Sequence, residues 1–182
     1  TNLITALATA YADSIPLIAI TGQVSSELLG KDVFQEADII GSAEPFVKYS
    51  YLVRDAREIP RIFKEAFHIA STGRRGPVLI DVPLDVQQKQ IEYVPVNEVS
   101  IRGYKPTVKG NNLQIRKVVD VLSRAGKPLI CVGGGTILGN GEQVVREFAN
   151  KFHIPVVSTM MGIGVMPNDD PLYMGMLGTN GK

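Results

Sequence analysis

The chain has 182 residues, 45% of them hydrophobic and 20% charged, and its 19 basic and 18 acidic side chains give a formal net charge of +1. That length admits one domain or two small ones, and the composition is that of a globular protein able to bury a core. Near-neutral charge excludes the electrostatic footprint of a nucleic-acid or anionic-membrane binder. No run approaches the ~18 consecutive apolar residues of a membrane span.

The chain opens on a helical apolar pattern, Leu3, Ile4, Leu7, Ala8 and Tyr11, with no Met and no signal peptide ahead of it. Both ends therefore read as cuts in a longer sequence. Pro16–Thr21 is a short apolar run closed by Gly22 and reads as a buried strand. A loop over Gly22–Asp32 follows, then a helical turn or two within Val33–Gly41. Phe46–Val53 alternates and is rich in aromatic and β-branched residues, which predicts a strand. Glu58–Ser71 is the clearest helix: Ile59, Ile62, Phe63, Ala66, Phe67 and Ala70 form one apolar stripe, Pro60 stands in the first turn, and Gly73 follows as a C-cap. Pro77–Val82 is a second buried strand.

From Leu84 to Gly110 the apolar periodicity fades, which predicts a linker over residues 86–110 between two domains, residues 1–85 and 111–182. Helical periodicity returns over Asn111–Ala125, with Ile115, Val118, Val119 and Leu122 on one face. Pro128–Val132 reads as a strand, Gly133–Gly141 as a glycine-rich loop, Gly141–Phe152 as a helix and Ile154–Ser158 as a further strand. Loops rich in Gly, Met and Pro then run to the end. Strand and helix alternate throughout, which predicts an α/β fold of parallel sheets with flanking helices. The single cysteine, Cys131, excludes an intrachain disulfide and fits a reducing compartment; its apolar neighbours predict a buried structural thiol.

Four segments can carry chemistry. Val132–Gly141 follows a strand and opens a helix, where backbone N–H groups can cradle phosphate; the bland alternative is a tight turn that binds nothing. It is not a strict GxGxxG, and the acidic residue that a nicotinamide ribose needs after the second strand is replaced by Ser158–Thr159, so a flavin dinucleotide fits better than NAD. Ser158–Gly164 stands at the tip of a parallel strand, where Met160 and Met161 either pack on a flat ring or fill core. In Gly30–Asp38, Phe34 and Gln35 either face a ligand or belong to a solvated loop with Phe34 tucked inward. Arg74 either reaches a phosphate or ring, or caps helix carbonyls. His68 and His153 have no partner at ligand spacing, so no metal site is expected within the chain.

In order and spacing, DSIP (Asp13–Pro16), ITGQV (Ile20–Val24), DVFQEAD (Asp32–Asp38), IASTGRRGPVLIDVPLD (Ile69–Asp85), VGGG (Val132–Gly135) and GMLG (Gly175–Gly178) resemble acetolactate synthase large subunits across the chain. The FQEAD and TGR-GPVLIDVP segments are specific; the glycine loop is not. The resemblance implies two partial three-layer domains: the end of a pyrimidine-binding domain and the start of a Rossmann-like flavin-binding middle domain. It implies thiamine diphosphate, Mg2+ and FAD as cofactors, with no net redox work by the flavin. Pyruvate and a second 2-oxoacid would be the substrates.

By the same resemblance, Asn2 lines the thiamine site, and Phe34 with Gln35 stands at the active-site mouth, where the amide can bond an oxoacid oxygen. Lys48 lies near that mouth. Arg74 packs on the flavin, Gly133, Gly134 and Gly135 cover its phosphates, and Thr159, Met160, Met161, Leu177, Gly178, Thr179 and Asn180 wall its groove. Leu84 replaces a family lysine of the channel, and Thr179–Asn180 replaces a family pair ending in His. The family's catalytic glutamate stands before Thr1 and its magnesium and diphosphate motif after Lys182, so the chain alone is expected to be inactive. Further copies of the large subunit, as dimer or tetramer, a regulatory small subunit and a cytoplasmic location complete the expectation. Pyruvate oxidase, a nicotinamide-dependent dehydrogenase and a non-catalytic scaffold are the alternatives.

Overall fold

The computed structural model describes residues 2–179 and 181. The chain divides into two compact units, the first ending at Val108 and the second beginning at Lys109.

In the first unit, α1 (Leu3–Ala12) leads into β1 (Leu17–Gln23); α2 (Ile39–Ala43), β2 (Tyr49–Leu52), α3 (Ile59–Ser71), β3 (Pro77–Pro83) and the short α4 (Leu84–Gln87) follow. The strands pair in the order β1-β3-β2, all parallel, with Thr21 opposite Asp81 and Leu52 also opposite Asp81. β3 is the central strand and every one of its residues is buried, as a parallel strand covered on both faces must be. Its side chains alternate between two cores. Val78, Ile80 and Val82 pack with Ile62, Ala66, Ile69 and Ala70 of α3, while Leu79 packs with Leu7 of α1 and Ile39 and Ala43 of α2. Helices therefore cover both faces of one sheet, the three-layer arrangement expected from the alternating elements. α3 matches the predicted helix, with Pro60 in its first turn and Gly73 at φ +60° just past its end.

In the second unit, α5 (Asn112–Arg124), β4 (Ile130–Val132), α6 (Gly134–Leu138), α7 (Glu142–Phe152), β5 (Val156–Ser158) and β6 (Tyr173–Met176) build a parallel sheet in the order β4-β5-β6. Asn111 caps α5 by accepting from the N–H groups of Leu113 and Gln114. The core gathers Val132, Ala149, Val156, Val165 and Met166.

Four sequence expectations change here. The glycine-rich loop is partly helical, because α6 starts at Gly134 and closes with Gly139 N–H on the Gly135 carbonyl (3.0 Å) and Gly141 N–H on the Thr136 carbonyl (2.8 Å). β6 forms where only loops were expected. Cys131 is exposed rather than buried: β4 is an edge strand, and period-2 alternation that turns Val132 inward turns Cys131 outward. α5 forms as expected, but no residue of it is buried, and Ile115, Val118 and Val119 are all exposed. No helix among the described residues is long and apolar enough to cross a membrane.

Candidate functional site

Parallel sheets place ligands at the carboxyl ends of their strands. In the first unit those ends are Thr21–Gln23 of β1 and Asp81–Pro83 of β3. A cleft of about 350 Å3 opens there, and its lining brings Asn2 together with Thr21, Gly22, Gln23 and Gln35. Two of the expected residues, Asn2 and Gln35, thus meet across one cleft although 33 positions separate them. Phe34 beside them is 90% exposed and not tucked into the core. Gln35 holds φ +64°, a left-handed conformation that a non-glycine residue keeps only where its surroundings fix it.

What fixes it is a set of local hydrogen bonds. The Glu36 carboxylate accepts the N–H groups of Gly30 and Val33, folding the loop onto itself. The Asp38 carboxylate accepts Gly41 N–H (2.8 Å) and caps α2. On the other side, Asp85 Oδ1 accepts Ser26 N–H (2.8 Å) and its hydroxyl (2.9 Å). The Gly30 N–H bond holds Glu36 below the usual carboxylate range, and the Ser26 N–H bond does the same for Asp85. Both pKa values are depressed by folding, so the hold they give is complete above their unfolded values and fades as pH falls through the folded ones. Limited proteolysis across residues 26–38 is therefore expected to accelerate below about pH 4 relative to pH 7. Unchanged cleavage between those pH values would show that the carboxylates do not hold the loop.

Lys48 and Arg74 sit elsewhere. Lys48 precedes β2 at the opposite end of the sheet, where its ammonium donates to the carbonyls of Ile69 and Thr72 (2.7 Å for Thr72) and to the Tyr104 hydroxyl (3.1 Å). Arg74 donates to Ser14 Oγ (3.0 Å) and to the carbonyls of Tyr11 and Ala12 at the end of α1, and stacks 5.5 Å from the Tyr11 ring centroid. Each cation therefore caps the C-terminal carbonyls of a helix, where its charge opposes the helix dipole.

In the second unit the strand tips again converge. Thr159 N–H bonds the Val132 carbonyl (2.9 Å) and Leu177 N–H bonds the Ser158 carbonyl (2.7 Å), so Gly133, Thr159 and Leu177 stand side by side. A Cβ on Gly134 would lie 3.0 Å from that of Met161, and one on Gly133 would lie 3.4 Å from Thr159 Oγ1. Gly135 and Gly178 have open space where a Cβ would stand. The glycine turn, Thr159–Met161 and Leu177–Thr179 thus form one surface with bare backbone on its open side, and Met160 and Leu177 are exposed on it. Asn180 lies outside the described residues. Arg146, which sequence reading did not single out, fixes the segment just after Thr159–Met161 by donating to the carbonyls of Gly164 (3.0 Å) and Val165 (2.5 Å). Among the described residues no three His, Cys, Asp or Glu side chains converge on a point that could hold a metal.

Two family models match parts of the chain. Residues 1–42 match the thiamine pyrophosphate enzyme N-terminal TPP binding domain, and residues 115–182 match the thiamine pyrophosphate enzyme central domain. The whole chain is 52% identical to an acetolactate synthase of Arthrospira platensis. The chain belongs to the thiamine pyrophosphate enzymes. Within that family it is also 48% identical to the acetolactate synthase large subunit of Buchnera aphidicola from Schizaphis graminum and 45% identical to that of Corynebacterium glutamicum, again over all of its length. The chain covers 32%, 32% and 29% of these three relatives, about a third of their length. A crystal structure described as a thiamin diphosphate-dependent enzyme of Mycobacterium smegmatis superposes with a TM-score of 0.78 at 26% identity, covering 97% of this chain and 34% of the other.

Proposed function

We propose that this chain is part of an acetolactate synthase large subunit, in which the first unit contributes to the thiamine diphosphate site and the second to a flavin site. The observation that carries the reading is the meeting of Asn2 and Gln35 across one cleft at the strand tips, in a chain similar throughout to acetolactate synthases. The parent enzyme would condense two pyruvates, or pyruvate and 2-oxobutyrate, to an acetohydroxy acid with release of carbon dioxide. It would serve branched-chain amino-acid synthesis in the cytoplasm, as an oligomer of large subunits with a regulatory small subunit.

Bound thiamine diphosphate would supply the carbanion chemistry that decarboxylates one 2-oxoacid and adds the remainder to a second. This chain's residues bind and orient. The Asn2 amide offers a donor and an acceptor to the coenzyme side of the cleft, and the Gln35 amide offers an N–H to the oxygen of the incoming oxoacid. Phe34 supplies an apolar wall at the mouth. In the second unit, the open backbone at Gly135 and Gly178 fits a group that must approach the main chain closely, and Met160, Met161 and Leu177 fit a flat ring system. FAD meets both requirements. The donor set does not fit magnesium, so the metal belongs in this reading to other parts of the enzyme.

The test is product analysis with the full-length protein, pyruvate, thiamine diphosphate, Mg2+ and FAD in aerated phosphate buffer, so that oxygen and phosphate are present for an oxidase reaction. Acetolactate is the expected product; acetate or acetyl phosphate would assign the protein to the pyruvate oxidases. The 182 residues alone are expected to yield no acetolactate, and turnover by that segment would contradict the division of labour.

A further inference from the structure

The loop that presents Phe34 and Gln35 is tied to the sheet through one side chain. Gln23, the last residue of β1, donates from Nε2 to the Ala37 carbonyl (2.8 Å) and to Asp81 Oδ2 (3.1 Å), while its Oε1 accepts Val24 N–H (2.9 Å). Asp81 is 1% exposed in the middle strand and also accepts the Thr21 hydroxyl at Oδ1 (2.7 Å). A buried carboxylate in a strand is uncommon and persists only with such partners. Gln23 lines both the 350 Å3 cleft holding Asn2 and Gln35 and a neighbouring cavity of about 530 Å3 that reaches Asp81. With Ala37 and Ile39 it stands between them.

A glutamine amide can be turned end for end at little cost in shape, so something must decide which end faces the loop. Here all three partners agree: the Asp81 carboxylate and the Ala37 carbonyl accept from Nε2, and Val24 N–H donates to Oε1. Of the three, only Asp81 is a side chain of the central strand, so it is the one that ties the amide to the sheet. We propose that Asp81 is a positioning residue: its carboxylate anchors the Gln23 amide to the central strand, and Gln23 thereby holds the Ala37 carbonyl and the loop carrying Phe34 and Gln35. The inference rests on the reading of this cleft as the oxoacid site of an acetolactate synthase. Asp81 itself touches neither coenzyme nor substrate in this scheme.

The test uses the full-length enzyme in three forms: Asp81→Asn, Gln23→Leu, and the exchanged pair Asp81→Asn with Gln23→Glu. The exchanged pair restores a carboxylate–amide bond at the base but leaves Ala37 without a donor. KM for the second oxoacid is expected to rise roughly tenfold in all three, the scale of one lost charge-assisted hydrogen bond, with the activation constant for thiamine diphosphate within about twofold of wild type. The thermal midpoint is expected to recover in the exchanged pair although KM does not. A pair that recovers both, or single variants that leave KM unchanged, would overturn the proposal and leave Asp81 a packing residue. Hydrogen exchange of the peptide spanning residues 30–38 gives an independent readout, expected to quicken about tenfold in Asp81→Asn and Gln23→Leu. Unaltered exchange there overturns the proposal whatever the reaction. A wild-type enzyme that forms no acetolactate instead overturns the functional reading while the exchange result still decides the role of Asp81.

Discussion

Gly162→Ala is expected to destabilise the second unit by about 3 kcal/mol, among the larger effects of any single methyl group in this chain. The Cβ would press on the Val132 carbonyl oxygen and lie 2.9 Å from its carbon and 3.1 Å from Gly133 Cα. These are backbone atoms at the tip of β4, fixed by the Thr159 N–H bond to the same carbonyl, so no flexible side chain can yield. Relief would have to come from separating the glycine turn from Thr159–Met161, the two segments assigned to one flavin surface. Gly135→Ala is the matched control. No atom lies within 4 Å of its added methyl, and its position inside α6 should make alanine neutral or slightly stabilising. Denaturant titration of both variants checks this. Equal midpoints would mean that the close approach of the two strand tips does not hold in solution.

Lys48→Met is expected to cost about 2 kcal/mol. Methionine keeps the apolar stem but removes the ammonium that now satisfies the last carbonyls of α3 at Ile69 and Thr72. The Tyr104 hydroxyl reaches the same two carbonyls, at 3.3 and 3.0 Å, and would retain part of the cap. For that reason the loss should be smaller than for a wholly unpaired site. Chemical denaturation measures it directly, and a loss below about 0.5 kcal/mol would show a solvated ammonium that holds nothing. Arg74 plays the same part at the end of α1, so two cations expected near ligands are occupied within this chain by helix ends.

The elements that sequence alone revealed share a cause. α3 was legible because its stripe matches the helical period, and its inner residues Ile62, Ala66, Ile69 and Ala70 are indeed buried. Phe67, from the same stripe, is exposed, since a stripe that wide extends past the surface that covers it. β3 was legible as a run apolar but for Asp81, buried between two layers. β6 was not: Gly175 at φ +98° interrupts four residues whose register shifts between Val156 and Ser158. α6 was hidden because glycine disfavours helix, and its turn is held instead by contact with the segment after β5.

The site was legible in a different way. Composition and spacing marked Gly30–Asp38 and Val132–Gly141 as segments of interest but left each open to a bland reading. Only the resemblance named Asn2 and gave Gln35 its role, and no pattern in the sequence links positions so far apart. Asp81 went unnoticed inside a run that reads as strand, and Gln23 inside Gly22–Asp32, which reads as loop although β1 extends through Gln23. The available signal was Asp81 itself, an acidic residue in an otherwise apolar β-run, where burial demands a partner.

Titration of the full-length apoenzyme with thiamine diphosphate and oxoacid, in Asn2→Ala and Gln35→Ala, tests the cleft most directly. The expected result is coenzyme affinity weakened roughly tenfold by Asn2→Ala alone, and KM for the incoming oxoacid raised by a similar factor by Gln35→Ala alone. Wild-type constants in both variants would contradict the assignment of this cleft.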